Sequence, residues 1–502
     1  MLTMKILSTA DHFGHVFRRL MCSEGRRVMM DTYHICIGGS FQKTDKILKV
    51  TNPYNNEVIA ETYLGRETDL EEAISKAQSA ENVMKALSSF ERFEILRYIA
   101  NTLMQRKDRL SRLLAQESGK PLIYAGAEID RSSQTFLIAA EESKRLPREY
   151  LSLDWTPGGK DKEGLVKYFP VGLVAGISPF NFPMNLAAHK IAPAIAAGCP
   201  IIVKPASATP LSTLELANII DETSLPKGAL SIIPMDRTTG MKLVTDERFK
   251  LLTFTGSPEV GWRMKKDAGK KKVVLELGGN AGVIVCESAD IDFAVKRCLF
   301  GGFAYSGQIC IHAQRIFVER RIFDEFLEKF VVSAQSLRFG DPLKQETQIS
   351  VMIDEPNAKR VENWIKEAAS GGAQIVCGGK REGAFCDPTV LTNTKRSMKV
   401  NCLEVFGPVV TIEPYTTIQE AVHMVNDTNF GLQAGIFTHN MNEINYAFIN
   451  LEVGGVVVND VPTFRVDHMP YGGIKDSGLG REGLKYAILD MMEPKILVTD
   501  NR

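Results

Sequence analysis

The chain has 502 residues, 44% of them hydrophobic, with 60 Lys+Arg against 60 Asp+Glu and a formal net charge of zero. That length corresponds to about three domain-sized units, each able to build a core without disulfides or a structural metal. A neutral chain with no basic block on the scale of a domain speaks against a nucleic-acid binder and against a membrane-surface protein, and leaves small molecules and other subunits as the expected partners.

Residues 1–30 differ from the rest. Lys5, Arg18, Arg19, Arg26 and Arg27 face only Asp11 and Glu24, and there is no apolar stretch of the secretory type. Arginine enrichment is shared with organelle transit peptides; the plainer expectation is a poorly structured leader, with translation starting at Met29 or Met30. Residues 50–150 read as helical, because apolar residues recur at three- and four-residue spacing over 69–81 and 89–103, with Asp69 and Ser89 as N-caps. Short apolar runs rich in β-branched residues follow at 173–177, 201–203, 230–233, 251–255 and 273–277, with helical patterns between them at 184–197 and 211–220. Strands that alternate with helices predict right-handed crossovers and a parallel sheet covered on both faces. Ligands then bind beyond the carboxyl ends of the strands. A second alternation runs from 281 to 463, with strands near 316–318 and 409–412 and helices near 324–336 and 358–369. The fold class is α/β, in two such units. The lysines at 265, 266, 270, 271 and 272 read as a solvated helix end beside the negative pole of its dipole.

Nine cysteines, at 22, 36, 199, 286, 298, 310, 377, 386 and 402, are scattered and include no C-x-x-C pair. This fits a reducing compartment, the cytoplasm, and carries no zinc signature. The longest apolar stretch, 173–203, is broken by Pro179, Asn181, Pro183, His189, Lys190, Pro193 and Pro200 and does not read as a membrane span.

Four clusters carry chemistry. Ser178-Pro179-Phe180-Asn181-Phe182-Pro183 lies at the carboxyl end of the first strand, where the Asn181 amide can either cap the next helix or donate to a developing oxyanion. Lys204 and Ser207, in KPAS, end the next strand; Lys204 is suited to ribose hydroxyls or phosphate, or is an ordinary charged loop end. Phe254-Thr255-Gly256-Ser257, with Gly261, forms a strand, a Gly turn and a helix start that suits a phosphate, without the G-x-G-x-x-G spacing. Glu276, in Glu276-Leu277-Gly278-Gly279, is flanked by apolar residues at a strand end, where a raised pKa suits a general base. Cys310, closing Ser306-Gly307-Gln308-Ile309-Cys310, is either a small core hydrophobe or a nucleophile presented in a cleft.

Taken together, and with Glu404-Val405-Phe406-Gly407-Pro408 and Pro470-Tyr471-Gly472-Gly473 running on to Gly480-Arg481-Glu482-Gly483, the set resembles the aldehyde dehydrogenase superfamily from about residue 52 to 492. The resemblance implies a Rossmann-type cofactor domain (31–147 and 168–278), an α/β catalytic domain (279–480) and a small β oligomerisation arm (148–167 and 481–502), hence a homodimer or homotetramer. It implies that Cys310 attacks an aldehyde, that Asn181 and the Cys310 backbone N–H hold the oxyanion, and that Glu276 activates water to release the acid. Relatives that pass the acyl group to coenzyme A typically lack this glutamate. A non-catalytic member of the fold would lack Cys310 or Lys204. By the same resemblance NAD or NADP is the cofactor. Lys204 and Glu404 would take its riboses, Gly256 and Ser257, with Gly261, the pyrophosphate, and Phe406 the nicotinamide side. Ser178, Pro179, Phe180 and Leu277 would complete the wall. Ser207 stands where many NAD-preferring members have glutamate, so NADP is tolerated or preferred. For substrate, Arg465 and His189 are either a grip for a carboxylate, phosphate or phosphonate, or structural, with Arg465 paired to Asp467 or Glu452 and His189 a satisfied core histidine. The R-x-D loop is similar to that of members acting on lactaldehyde, glyceraldehyde 3-phosphate or phosphonoacetaldehyde. Ile309, where semialdehyde enzymes often have arginine, argues against a dicarboxylic semialdehyde. His312, two residues past Cys310 and on the same face if strand, is expected to be structural.

Overall fold

A computed structural model describes residues 31–501; the leader expected at 1–30 lies outside them. Its centre is an eight-stranded sheet. Five parallel strands lie in the order Lys272–Glu276, Leu251–Thr255, Val174–Ile177, Ile201–Lys204, Leu230–Ile232, flanked by Gly478–Leu479 on one edge and the hairpin Ile35–Ile37/Ser40–Gln42 on the other. From Val174–Ile177 the chain winds outward through the next two strands, then returns to the other side of Val174–Ile177. The strand order therefore reverses between Val174–Ile177 and Leu251–Thr255, and the crevice beyond their carboxyl ends is where such sheets bind ligands. Both faces are covered. The helices Pro183–Ala197 and Leu211–Asp221 pack one side, and Glu67–Ala86 helps cover the other.

A second, seven-stranded sheet holds Gln374–Cys377, Thr389–Thr392, Val409–Tyr415, Arg315–Glu319, Gly282–Val285, Gln433–Phe437 and Gly455–Val458, parallel except at the first pair. A third sheet stands apart. Met492–Asp500 pairs antiparallel along the whole of Lys162–Pro170, which also pairs with Arg148–Ser152. Its strands expose Tyr150, Leu497 and Val498, and Trp155 in the connecting loop is 89% exposed. Among the described residues no helix is long and apolar enough to cross a membrane.

The helix starts differ from expectation by a few residues. Glu67–Ala86 begins after Arg66, and Asp69 is its third residue, accepting from Arg66 N at 2.7 Å; Ser88, not Ser89, caps Ser89–Gln105 and accepts from Glu91 N. In both cases the acidic residue reaches back to the cap N–H, a geometry the apolar spacing does not reveal. The stretch read as helical from residue 50 opens instead on strands, with Ile47–Thr51 and Val58–Tyr63 forming a small antiparallel pair. The lysine cluster divides. Lys265 and Lys266 are exposed in the last turn of Pro258–Asp267, whereas Lys271 donates to Ala268 O and Lys272 reaches Met492 O and Glu493, tying the sheet edge to the arm.

Candidate active site

The carboxyl ends of the central strands meet one loop of the second unit around Cys310. Asn181 is buried, and its Nδ2 donates to Gln308 O at 3.0 Å, which holds the amide beside the loop leading to Cys310. That loop leaves the helix Ile291–Phe303 through three consecutive left-handed residues, Tyr305 (φ 47°), Ser306 (φ 54°) and Gly307 (φ 69°). Two of them are not glycine, a conformation that costs about 1–3 kcal/mol each and persists only where the surroundings impose it. Here they do. Tyr305 Oη donates to Ser118 O at 3.1 Å, Ser306 Oγ to Ser350 O at 2.7 Å, and Ile353 N to Gln308 Oε1 at 2.9 Å.

Cys310 is partly accessible, and its Sγ lies 3.2 Å from Tyr471 Oη. Glu276 ends its strand buried, with neither carboxyl oxygen hydrogen-bonded to protein. A Cβ on Gly472, next to Tyr471, would lie 3.0 Å from Glu276 Oε1, so the carboxyl lies against the segment whose tyrosine touches the thiol. Burial, then the carboxylate of Glu482, pushes Glu276 well above the ordinary carboxyl range; Arg465, Lys190 and Arg481 oppose this. Burial raises the Cys310 thiol to about 11, against the hydrogen bond from Tyr471. The glycine pair after Glu276 is a matter of space. A Cβ at Gly278 would collide with the Glu404 carboxylate, and one at Gly279 would lie 2.7 Å from Cys310 O. Glu404 Oε1 accepts from Gly279 N at 3.0 Å, and burial pushes its pKa up to about 7.

The residues expected to hold a cofactor line the same edge. Ser178 is buried with its Oγ unpartnered, beside the Pro179-Phe180 turn, and Phe180 meets Phe406 edge-on at 5.8 Å. Phe406 itself has φ 46°. Lys204 lies along Gly240, where a Cβ would be 2.9 Å from its Cδ, and Ser207 is exposed in the turn beyond. Gly256 and Ser257 form the turn into the helix Pro258–Asp267, and Gly261 is packed so closely on Leu277 that a Cβ would overlap it.

His189 and Arg465 are adjacent, but neither is free. Arg465 pairs with Glu482 at 2.7 Å and Asp467 at 3.7 Å, while Glu452 pairs with Lys475 instead. The His189 ring is 1% exposed with Nε2 3.1 Å from Asp467, and burial lowers its pKa while the carboxylates of Asp467 and Glu482 oppose this. Of the two readings left open for His189, its burial and its contact with Asp467 fit the satisfied core histidine. Sequence reasoning missed Arg131, which reaches Asp467 at 2.8 Å with its side chain 26% exposed, and Lys190, which bonds Thr255 at 2.7 Å and stands 3.9 Å from Glu482. It also missed Tyr471 as a partner of the thiol. His312 lies in a turn, not a strand; it is buried, bonds Gly302 O at 2.8 Å and has its pKa depressed to about 4 by burial.

Residues 41–497 match the family model described as the aldehyde dehydrogenase family. The chain belongs to the aldehyde dehydrogenase family. A 3-sulfolactaldehyde dehydrogenase of Priestia aryabhattai is 41% identical over 93% of the chain and 98% of its own length. The structure of aldehyde dehydrogenase 21 from Physcomitrella patens, in complex with the reaction product succinate, is 46% identical, with a TM-score of 0.93 over 94% of this chain and 99% of that one. Glyceraldehyde-3-phosphate dehydrogenase GapN of Methanocaldococcus jannaschii DSM 2661, complexed with NADP, is 38% identical with a TM-score of 0.87, covering 90% and 99%. This aldehyde dehydrogenase is an α/β oxidoreductase that uses NAD or NADP.

Proposed function

We propose that this aldehyde dehydrogenase oxidises a small aldehyde bearing a carboxylate, phosphate or sulfonate to its acid, with Cys310 as nucleophile and Glu276 as base. The observation that carries the reading is the position of Arg465. Its guanidinium lies 3.7 Å from the centroid of the Tyr471 ring, whose hydroxyl touches the Cys310 sulfur. A guanidinium held by Glu482 thus stands one ring away from the reacting atom, and Asp467 orients a second, partly exposed guanidinium, Arg131, beside it. Arginine suits planar, bidentate recognition of such anions. The relatives named for sulfolactaldehyde and glyceraldehyde 3-phosphate, and the one holding succinate, agree with an anionic substrate.

The chemistry runs on the chain's own groups. The Cys310 thiolate adds to the carbonyl carbon, and the oxyanion so formed is held by the Asn181 amide and the Cys310 backbone N–H. NAD or NADP, when bound, would supply the acceptor for the hydride, and the adduct held on Cys310 would then be a thioester. Glu276 then takes a proton from water, the hydroxide adds to the thioester carbon, and the acid departs as the thiolate returns. A carboxyl held above its ordinary pKa is a stronger base once ionised, and it ionises only as pH rises.

The residues present fit the cofactor. Ser178 Oγ is a buried hydroxyl with no protein partner, and the buried Glu404 carboxylate is oriented by Gly279 N. Lys204 and Glu404 would hold the riboses, and Ser178, Pro179, Phe180, Gly256, Ser257, Gly261, Leu277 and Phe406 would form the wall. Ser207, exposed where a carboxylate would repel a 2′-phosphate, leaves NADP accepted. Ser207→Glu is expected to lower the ratio of kcat/KM for NADP to that for NAD about tenfold or more, as the added charge implies; an unchanged ratio would show that position 207 does not meet the 2′-phosphate.

The eight-stranded unit is then the cofactor domain, the seven-stranded one the catalytic domain. The exposed apolar faces of the three-stranded arm fit burial in a homodimer or homotetramer. The unpaired thiols among the described residues suit a reducing, cytoplasmic setting. Arg131→Ala tests the substrate class. KM for succinate semialdehyde or glyceraldehyde 3-phosphate is expected to rise about tenfold relative to KM for propanal, the scale of one charge-assisted contact. Equal changes for both would remove the anion grip.

A further inference from the structure

Tyr471 lies outside every role assigned above, yet its hydroxyl is the nearest polar side-chain partner of the nucleophile, at 3.2 Å from Cys310 Sγ. The ring is 3% exposed and closed in by three links. Tyr471 and Glu482 exchange backbone hydrogen bonds, N to O at 3.0 Å and 2.6 Å. The Glu482 carboxylate grips Arg465 at 2.7 Å. The Arg465 guanidinium then returns to stack on the Tyr471 ring at 3.7 Å. Backbone, ion pair and ring face form a closed cycle that leaves the phenol no alternative rotamer without breaking a buried charge pair.

Resting on the reading of Cys310 as nucleophile, we propose that Tyr471 is a catalytic residue that donates its phenolic hydrogen to the Cys310 thiolate, with Arg465 stacked on its ring to hold it there. A thiol can either donate to or accept from the phenol; a thiolate can only accept, so ionisation makes the contact charge-assisted and favours the charged sulfur. The thiol proton leaves to bulk water, and the phenol keeps its own. The need is plain from the surroundings. The charged and titratable groups acting on the sulfur are Glu276 from the central sheet, Glu404 from the second, Arg465 from the R-x-D loop and Tyr471 itself. Two carboxylates and burial oppose the thiolate; the phenol and the guanidinium are what favour it. Burial, then the neighbouring Cys310, raises the pKa of Tyr471 itself well above its ordinary range, which keeps the hydrogen on the phenol. Once the sulfur is acylated its charge is gone, and the same phenol no longer discriminates. Its contribution is therefore to the thiolate, before the attack and again as the sulfur leaves at the end of hydrolysis.

The test is the pH profile of carbamidomethylation of the full-length enzyme by iodoacetamide, read by mass spectrometry on the Cys310 peptide, with Cys310→Ala to identify the labelled thiol. Tyr471→Phe keeps the ring on which Arg465 stacks and removes only the oxygen. Its Cys310 is expected to label about tenfold more slowly near neutral pH, with the midpoint shifted up by about one unit and the alkaline plateau equal to that of the parent. The pre-steady-state burst of NAD(P)H is expected to slow in parallel. An unchanged midpoint in a folded Tyr471→Phe enzyme would overturn the proposal and leave Tyr471 a packing residue. Labelling needs no aldehyde. A labelling shift in an enzyme that proves indifferent to anionic substrates would therefore sink the substrate reading alone, and loss of labelling specificity for Cys310 in the parent would sink the nucleophile reading.

Discussion

Glu276→Gln is expected to produce a single burst of NAD(P)H, one per active site, and then to fall in steady-state turnover by about 10²–10⁴, the range that a positioned general base contributes. The burst survives because attack and hydride transfer do not call on Glu276; the thioester then waits for a hydroxide that no longer forms. Cys310→Ser is expected to lose burst and turnover together. Proton balance adds a second signature. In the parent, Glu276 works as the carboxylate, and burial with the neighbouring Glu482 raises the pH at which that form appears. Deacylation should therefore climb as pH rises through that raised value and fall on the acid side, and in the Gln variant this limb should vanish. A Gln variant that turned over at the parental rate, or that kept the limb, would show that another group generates the nucleophilic water.

The second large effect is on stability. Lys120 and Glu128 form an ion pair with both side chains fully buried, and Lys120 also lies over the Phe182 ring at 3.8 Å and the Tyr305 ring at 4.4 Å. Glu128 Oε1 accepts from Met184 N at 3.0 Å and Asn185 N at 3.2 Å, at the start of the helix that follows Asn181. One pair thus fastens the loop carrying the amide to the loop carrying the thiol. Lys120→Met leaves a buried carboxylate without its counter-charge, and is expected to cost about 3–5 kcal/mol, read as a lower denaturant midpoint with an unchanged slope. The Lys120→Met/Glu128→Gln double variant, which removes both charges, should recover part of that loss. If Lys120→Met unfolded at the parental midpoint, the pair would be doing nothing for the fold.

The strands of the central sheet were legible because they are apolar on both faces; 251–255 matches Leu251–Thr255 residue for residue. The motifs carrying Cys310, Glu276, Asn181 and Glu404 were legible because each is contiguous. What escaped has no local pattern. Arg131 meets Asp467 from 336 residues away, and Cys310 meets Tyr471 from 161; neither spacing is visible as a period or a motif. Lys120 and Glu128 are only eight residues apart, but a lysine and a glutamate at that spacing read as a solvated pair until the core around them is known. His312 was expected to be structural, and it is buried and bonded to Gly302 O; the strand that would have put it on one face with Cys310 begins only at Arg315.

That run has a consequence for anyone who would borrow this chemistry. Residues 305–307 are a short piece of chain wound in the opposite hand to its neighbours, and the letters around Cys310 do not prefer that winding; Ser118, Ser350 and Ile353, drawn from distant stretches, enforce it. The reactive thiol is therefore not portable. A peptide or a foreign scaffold given the same ten letters would adopt the common hand, aim its sulfur elsewhere and behave as an ordinary cysteine.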